Sequence, residues 1–194
     1  MALPEHCTNP LLAGLYGTMC PNAADTAFHL WLAAELEPHN IVDLACGTGL
    51  LTAELARTGV PVVGVDPAAA MLDVARRRPR GDTVRWVEGV ATVLPEDSAD
   101  LVVMTGHVAQ VFVSDERWEE SLDAIATAVR PGGHLAFETR NPGARGFEAV
   151  PKSIGSPSRS DGRRPPRSPA PPGPGKVTVH VPQRANRRSL RCSL

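Results

Sequence analysis

Apolar residues in the first 140 positions follow two patterns that alternate along the chain. Short apolar runs, typical of strands that are buried on both faces of a parallel sheet, occupy residues 41–45, 60–66, 99–105 and 134–138. A weaker, half-alternating run covers residues 83–88. Between these runs the apolar residues return every three or four positions, as in amphipathic helices, over residues 25–36, 50–56, 67–75 and 115–130.

This alternation predicts the fold class. Five strands joined by helices indicate an open, mostly parallel, doubly wound α/β sheet in three layers, with right-handed crossovers. Turn and cap residues support the boundaries: Asn22 or Asp25 can cap the first long helix, Pro38 follows it and Gly59 closes the next one. In such sheets ligands bind at the carboxyl ends of the strands, near the point where the strand order reverses.

The last 44 residues differ in composition from the rest of the 194-residue chain. Residues 1–150 contain ten arginines, no lysine and twenty carboxylates, a formal charge of −10, whereas residues 151–194 contain ten basic residues and one acid, a charge of +9. The later segment also holds nine of the nineteen prolines and no Phe, Trp or Tyr. It can bury too little apolar surface to offset its ordering entropy, so we expect residues 149–194 to be a disordered basic tail.

Three interpretations of this tail remain open: a basic arm for nucleic acid or an acidic partner, a solvated extension, or a non-native end produced by a change of reading frame. One stretch, residues 176–181, alternates like a strand but stands alone among prolines. Residues 76–80 hold four arginines around one proline, and we interpret them as a solvated helix end.

Targeting and redox signals indicate a reduced, cytoplasmic protein that does not enter a membrane. No run of 18 apolar residues occurs, and the N-terminus lacks a basic segment followed by an apolar one. The four cysteines are scattered without a CxxC pair, which argues against a zinc site or a disulfide framework. We expect no metal, and a monomer or homodimer.

The most informative residues surround a glycine turn. Asp43 lies in the first strand just before this turn, Gly47 and Gly49 belong to the turn, and Asp66 ends the second strand, where a carboxylate can accept both hydroxyls of a ribose. A dinucleotide fold would carry a third glycine where this chain has Thr52. Asp43 would also repel a pyrophosphate over the turn and attract a ligand with an ammonium group. These features favour S-adenosylmethionine over NAD.

Four segments in order strengthen this interpretation: residues 42–49, 64–72, 94–102 and 129–135. Together they resemble the motifs of class I S-adenosylmethionine-dependent methyltransferases over about residues 40–140. The resemblance implies a Rossmann-like methyltransferase domain over residues 37–148, with residues 1–36 as a helical lid. The family's sheet usually ends with a sixth and a seventh strand, the last antiparallel and inserted beside strand five. We expect this chain to lack both, which would leave strand five as an open edge.

The resemblance also implies a set of cofactor contacts at the strand ends and in the lid: Tyr16, Asp43, Ala45, Gly47, Gly49, Asp66, Pro67, Met71, Val90, Ala91, Thr105 and Gly106. Asp43 and the glycines would hold the methionine end, and Asp66 would bind the ribose hydroxyls. Val90 stands where many members carry an acid for the adenine amino group. His107, just past strand four, is the candidate catalytic residue. Candidate substrate contacts follow strands four and five: Gln110, Glu138, Arg140 and Asn141.

The predicted activity is transfer of the sulfonium methyl group to a small-molecule acceptor by direct in-line displacement. Because the sulfonium is already a good leaving group, alignment and desolvation matter more than acid–base chemistry. The charge of −10 over residues 1–150 disfavours a nucleic acid substrate, unless the basic tail is native. Two alternatives remain: a truncated, inactive methyltransferase-like protein and, less favoured, an NAD-dependent oxidoreductase.

Overall fold

The computed structural model describes residues 3–19, 23–106, 108–138, 176–180 and 191–192. Six helices are present in these residues: α1 (Glu5–Thr8), α2 (Pro10–Met19), α3 (Ala23–Leu36), α4 (Leu50–Ala56), α5 (Ala69–Arg76) and α6 (Asp115–Ala128). The strands of the described residues are β1 (Ile41–Leu44), β2 (Val62–Asp66), β3 (Arg85–Glu88), β4 (Ala99–Met104), β5 (Val129–Glu138), β6 (Lys176–His180) and β7 (Arg191–Cys192). Short 3₁₀ turns cover Gly81–Thr83, Ala91–Val93 and Val108–Gln110.

All seven strands form one sheet in the order β3-β2-β1-β4-β5-β6-β7. The first five strands in the chain pair in parallel. The chain moves outward from β1 to β2 and β3, then returns to pair β4 with the other side of β1. The strand order therefore reverses between β1 and β4. This confirms the predicted open, doubly wound α/β sheet and places its expected ligand site at the carboxyl end of β1.

Two apolar clusters cover the two faces of the sheet. One joins alternate residues of β1, β4 and β5, such as Leu44, Met104 and Phe137, to Ile125 of α6. The other joins the intervening residues, such as Ile41 and Val103, to side chains of α3 and α4. Because side chains alternate between the faces of a strand, Asp43 points to the face that α3 and α4 cover.

The C-terminal residues that the structure describes correct one expectation. β6 pairs antiparallel with β5, and β7 pairs antiparallel with β6, so the prediction of a sheet without strands beyond the fifth is wrong. The alternating sequence of residues 176–180 does form a strand, because the free edge of β5 offers backbone N–H and C=O groups for pairing. Residues 139–175 lie outside the described residues, and with them most of the predicted disordered tail and its boundary at residue 149.

β5 is also longer than predicted. The sequence predicted a strand over residues 134–138, but β5 runs from Val129 to Glu138 without a break, with Gly132 at a φ of +87°. The pairing of β4 with β5 shifts between Ala99 and Leu101. The start of β5 is therefore irregular and resembles a bulge within the strand.

The side chain of Trp86 in β3 packs against both the glycine turn and the neighbouring strand β2. Its indole N–H donates to the Gly81 carbonyl oxygen at 2.7 Å, and its ring lies against Gly64 of β2 and against Gly49. A Cβ atom at either glycine would overlap the indole ring. The sequence thus carries glycine at both positions to admit the indole of Trp86.

A methyl group at position 64 tests this packing. We expect Gly64→Ala to lower the free energy of unfolding by about 1–3 kcal/mol, because the ring must move or the strand must shift. Gly14→Ala is the matched control: it lies in α2 with no atom within 4 Å of the added Cβ, and alanine favours a helix. Urea denaturation of the full chain measures both. Equal stability of the two variants would mean that Trp86 does not fill this space.

Candidate functional site

The turn between β1 and α4 is held in an uncommon backbone conformation. Ala45, Gly47 and Gly49 have φ angles of 57°, 55° and 69°, in the left-handed region where a Cβ atom costs about 1–2 kcal/mol. Ala45 carries that cost, since it is not glycine. Strain of this kind persists where the surroundings impose it, and it clusters at functional sites.

The two glycines of the turn serve different purposes. A Cβ at Gly47 would have no atom within 4 Å, whereas one at Gly49 would meet Trp86 and Ala75. Gly47 therefore leaves an approachable backbone on the open side of the turn, and Gly49 allows packing on the inner side. The sequence-based interpretation assigned both glycines to cofactor approach; the open space at Gly47 fits that role, and the space at Gly49 is filled by the protein.

Asp43 is a buried carboxylate with one oxygen engaged. Its side chain is 1% exposed, and the Thr52 hydroxyl donates to Oδ2 at 2.6 Å. Among the described residues, Oδ1 has no hydrogen-bond partner. Burial raises the pKa of Asp43 to about 7, with a smaller contribution from the charge of Asp66, while the bond from Thr52 opposes the rise. Such a group gains most from a cationic partner.

Thr52 is a site residue that the sequence reasoning missed. It was considered only as the absence of a third glycine, yet it is fully buried in α4, and its hydroxyl donates a hydrogen bond to the Asp43 carboxylate. The available signal was a hydroxyl on the buried side of α4, next to Leu51 and Leu55. Its placement against Asp43 required the packing of α4 on β1.

Asp66 connects the ends of two strands. Its Oδ2 accepts the Gly47 N–H at 2.8 Å and its Oδ1 accepts the Ala68 N–H at 2.8 Å. Burial raises its pKa, and these two bonds oppose the rise. The local turn role and the ligand role are therefore compatible, because each carboxylate oxygen keeps a second lone pair that can accept a hydroxyl.

A cavity of about 220 Å³ opens beside the turn. Four of the predicted cofactor contacts line it: Ala45, Pro67, Val90 and Ala91. Its remaining walls are mostly apolar and include Leu3 from the N-terminus and residues of the segment after β4. Arg117 and Glu120 of α6 add charge to the rim. The size and apolar lining suit a flat heteroaromatic group, with few polar contacts to orient it.

Two predicted contacts lie behind this cavity rather than on its wall. Met71 is 2% exposed and packs with Ala13 of α2 and Ala68, and Tyr16 packs against the same cluster. The N-terminal helices thus lie against α5, next to the residues that follow Asp66. Their role as a lid stays a prediction.

The remaining candidates lie along the carboxyl edge of β4 and β5. Thr105 is half-buried, and Gly106 and Gln110 are exposed. Glu138 is buried at the end of β5, with Oε1 3.9 Å from Nδ1 of the buried His29 in α3. This contact ties β5 to α3. His107, Arg140 and Asn141 lie outside the described residues, so their predicted roles stay predictions.

Comparison with known proteins agrees with this geometry. Residues 41–133 match the family model of the methyltransferase domain. This match supports the class I S-adenosylmethionine-dependent methyltransferase domain that the sequence predicted. The cofactor of this domain is S-adenosylmethionine, as the four motifs predicted.

The chain is similar to a demethylmenaquinone methyltransferase of Clavibacter sepedonicus, with 36% identity over 54% of this chain and 42% of that protein. It is also similar to a ubiquinone biosynthesis O-methyltransferase of Acinetobacter baylyi, with 32% identity over 57% of this chain and 48% of that one. A solved S-adenosylmethionine-dependent methyltransferase of Mesorhizobium loti is 30% identical, covers 53% of this chain and 47% of its own, and has a TM-score of 0.47. The chain spans less than half the length of these relatives.

The residues present fit the cofactor. The unpartnered Oδ1 of Asp43 suits the ammonium group, the open backbone at Gly47 suits the methionine end, and the cavity beside Ala45 suits adenine. None of the helices in the described residues is long and apolar enough to cross a membrane. The same residues contain no cluster of His, Cys, Asp and Glu that could hold a metal ion.

The raised pKa of Asp43 predicts pH-dependent cofactor binding. With a pKa of about 7, the carboxyl is mostly neutral at pH 6 and mostly ionised at pH 7.5, and only the ionised form attracts an ammonium group. The affinity for S-adenosylhomocysteine should therefore rise roughly eightfold between these pH values, as calorimetry can measure. Asp43→Asn should bind weakly at both. A flat profile for the unmodified chain would contradict the role of Asp43.

Substitution of Thr52 should shift the same profile. The hydroxyl bond lowers the pKa of Asp43, so Thr52→Val should raise that pKa and move the rise in affinity to higher pH. Thr52→Ser keeps the hydroxyl and should leave the midpoint in place. Identical midpoints for the valine and serine variants would mean that the bond does not stabilise the ionised carboxylate.

Proposed function

We propose that this protein transfers the methyl group of S-adenosylmethionine to a small-molecule acceptor. The observation that carries the proposal is the buried Asp43 carboxylate, one oxygen of which has no hydrogen-bond partner among the described residues, beside a turn with open space at Gly47. The turn leads through Ala45 directly into the apolar cavity. The two carboxylates, the open backbone and the apolar cavity lie at the same edge of the sheet, and each complements one part of the cofactor.

Each part of this surface has its own task. Asp43 holds the ammonium group, the backbone around Gly47 receives the amino acid end, and Asp66 accepts the ribose hydroxyls. Pro67, Val90 and Ala91 enclose the adenine. When bound, S-adenosylmethionine supplies an electrophilic methyl group on a sulfonium. The protein then has to align the acceptor with that group and keep water away from it.

Thr105 and Gly106 follow β4, the neighbour of β1, and we propose that the acceptor binds at this edge. His107 and Gln110 follow them and are proposed to contact the acceptor, with His107 as the candidate general base. Arg140 and Asn141 are proposed to extend the same wall. Glu138 is buried beside His29, and this contact favours a supporting role for it behind the wall.

A small acceptor agrees with the charge of the domain and with its relatives. Residues 1–150 carry twice as many acidic as basic residues, which opposes the approach of a polyanion. The names of the similar proteins refer to demethylmenaquinone and to ubiquinone biosynthesis, and both quinones are small molecules with an aromatic reduced form. We propose an acceptor of this size with an apolar body.

Ligand-dependent melting tests the cofactor site. At 100 times its Kd, S-adenosylhomocysteine should stabilise the full chain by about 2.7 kcal/mol, which raises the Tm by several degrees. Asp43→Asn should lose most of this shift. Asp82→Asn removes an exposed acid outside the site and should keep it. A chain that melts cooperatively without any shift would contradict the proposed cofactor site.

Transfer itself is tested with a radiolabelled methyl donor and panels of small phenols, quinols, amines and RNA. We expect label in a small molecule. Label in RNA would overturn the acceptor class. Cofactor binding without transfer to any acceptor would support the alternative of an inactive methyltransferase-like protein.

A further inference from the structure

Arg78, two residues after the end of α5, makes two hydrogen bonds with the glycine turn. It lies between the end of α5 and the 3₁₀ turn Gly81–Thr83, and its guanidinium is half-buried. The Nε–H donates to the Thr48 carbonyl oxygen, and Nη2 donates to the Thr48 hydroxyl at 3.1 Å. Thr48 is 4% exposed and stands between Gly47 and Gly49. The planar guanidinium of Arg78 thus binds the middle residue of the turn through two of its N–H groups.

The neighbouring arginines behave differently. Arg76 is exposed and pairs with Asp73 at 2.9 Å within α5, and Arg77 and Arg80 are exposed. The solvated helix end expected for residues 76–80 therefore describes these three residues but not Arg78. Burial lowers the pKa of Arg78 from its ordinary value, so this side chain leaves water at a cost that its bonds to Thr48 offset.

The turn needs such external support. Gly47 and Gly49 both have positive φ, and glycine loses more conformational freedom on ordering than any other residue. Within the turn, the Gly49 N–H donates to the Cys46 carbonyl oxygen at 2.9 Å. Asp66 holds Gly47 from the end of β2. Arg78, which follows α5, binds the next residue, Thr48, so side chains from two other parts of the chain fix neighbouring residues of the turn.

We propose that Arg78 is a positioning residue for the cofactor turn, which it presets through Thr48 without touching the cofactor. This inference rests on the proposed function. Presetting the turn lowers the ordering cost that ligand binding would otherwise include. The loss should therefore appear mainly in cofactor affinity, with little effect on the KM of the acceptor.

Calorimetric titration with S-adenosylhomocysteine tests the inference on the full chain. Arg78→Ala should weaken binding roughly tenfold, the scale expected for charge-assisted hydrogen bonds. Arg78→Lys keeps the charge but not the fork and should recover only part of that loss. Arg77→Ala is the matched control, because it removes an exposed neighbouring guanidinium, and it should bind like the unmodified chain.

A double-mutant cycle separates positioning from general stability. Thr48→Val loses the hydroxyl bond and should weaken binding a few-fold, and Thr48→Ser should restore it. If Arg78 acts through Thr48, the two substitutions will be strongly non-additive, and Arg78→Ala with Thr48→Val will bind about as weakly as Arg78→Ala alone. Should Arg78→Ala not fold, the valine and serine variants of Thr48 decide by the same comparison.

The outcomes are distinct. An Arg78→Ala variant that folds and binds as tightly as the unmodified chain would overturn the inference, as would additive effects of the two substitutions. A lower Tm with unchanged affinity would assign Arg78 a purely structural role. An unmodified chain that does not bind S-adenosylhomocysteine would overturn the proposed function together with this inference.

Discussion

The hydrogen bonds that the Asp66 carboxylate accepts hold the carboxyl edge of the sheet together. One comes from Gly47 in the turn after β1, and the other comes from Ala68 at the start of the segment that leads into α5. A single side chain at the end of β2 thereby fixes the glycine turn relative to the wall of the adenine-sized cavity. Without these bonds, a turn built on two glycines and a strained Ala45 would have many competing conformations.

The same edge concentrates negative charge in a buried place. Asp43 and Asp66 each have a raised pKa, mainly from burial, and the charge of Asp66 adds to the rise at Asp43. This arrangement disfavours ionisation until a cation arrives. The two buried carboxylates therefore lower the stability of the ligand-free domain and favour the binding of an ammonium group. Thr52 reduces the cost of burying Asp43 as an anion, since its hydroxyl stabilises the charged form of that carboxylate.

Around these carboxylates, packing and hydrogen bonding converge on one short segment. Trp86 fills the space next to Gly49 and Gly64. Arg78 donates two hydrogen bonds to Thr48. Asp66 accepts a hydrogen bond from Gly47. These three side chains come from β3, the end of α5 and β2. The geometry of the turn thus depends on β2, β3 and the end of α5, and substitutions in these elements can alter it.

The amino-acid pattern alone was enough to predict the parallel α/β sheet, the position of the glycine turn and the pair Asp43 and Asp66. These features are local: a continuous apolar run specifies a buried strand, and glycine with a flanking acid marks the turn that follows it. The placement of Thr52, Arg78 and Trp86 depends on which helix packs on which strand, and only the tertiary structure decided it. The same holds for β6, whose short alternating run is weak by itself and becomes a strand through pairing with the edge of β5. Contacts between residues distant in the chain are set by packing and edge pairing, which no local window of sequence contains.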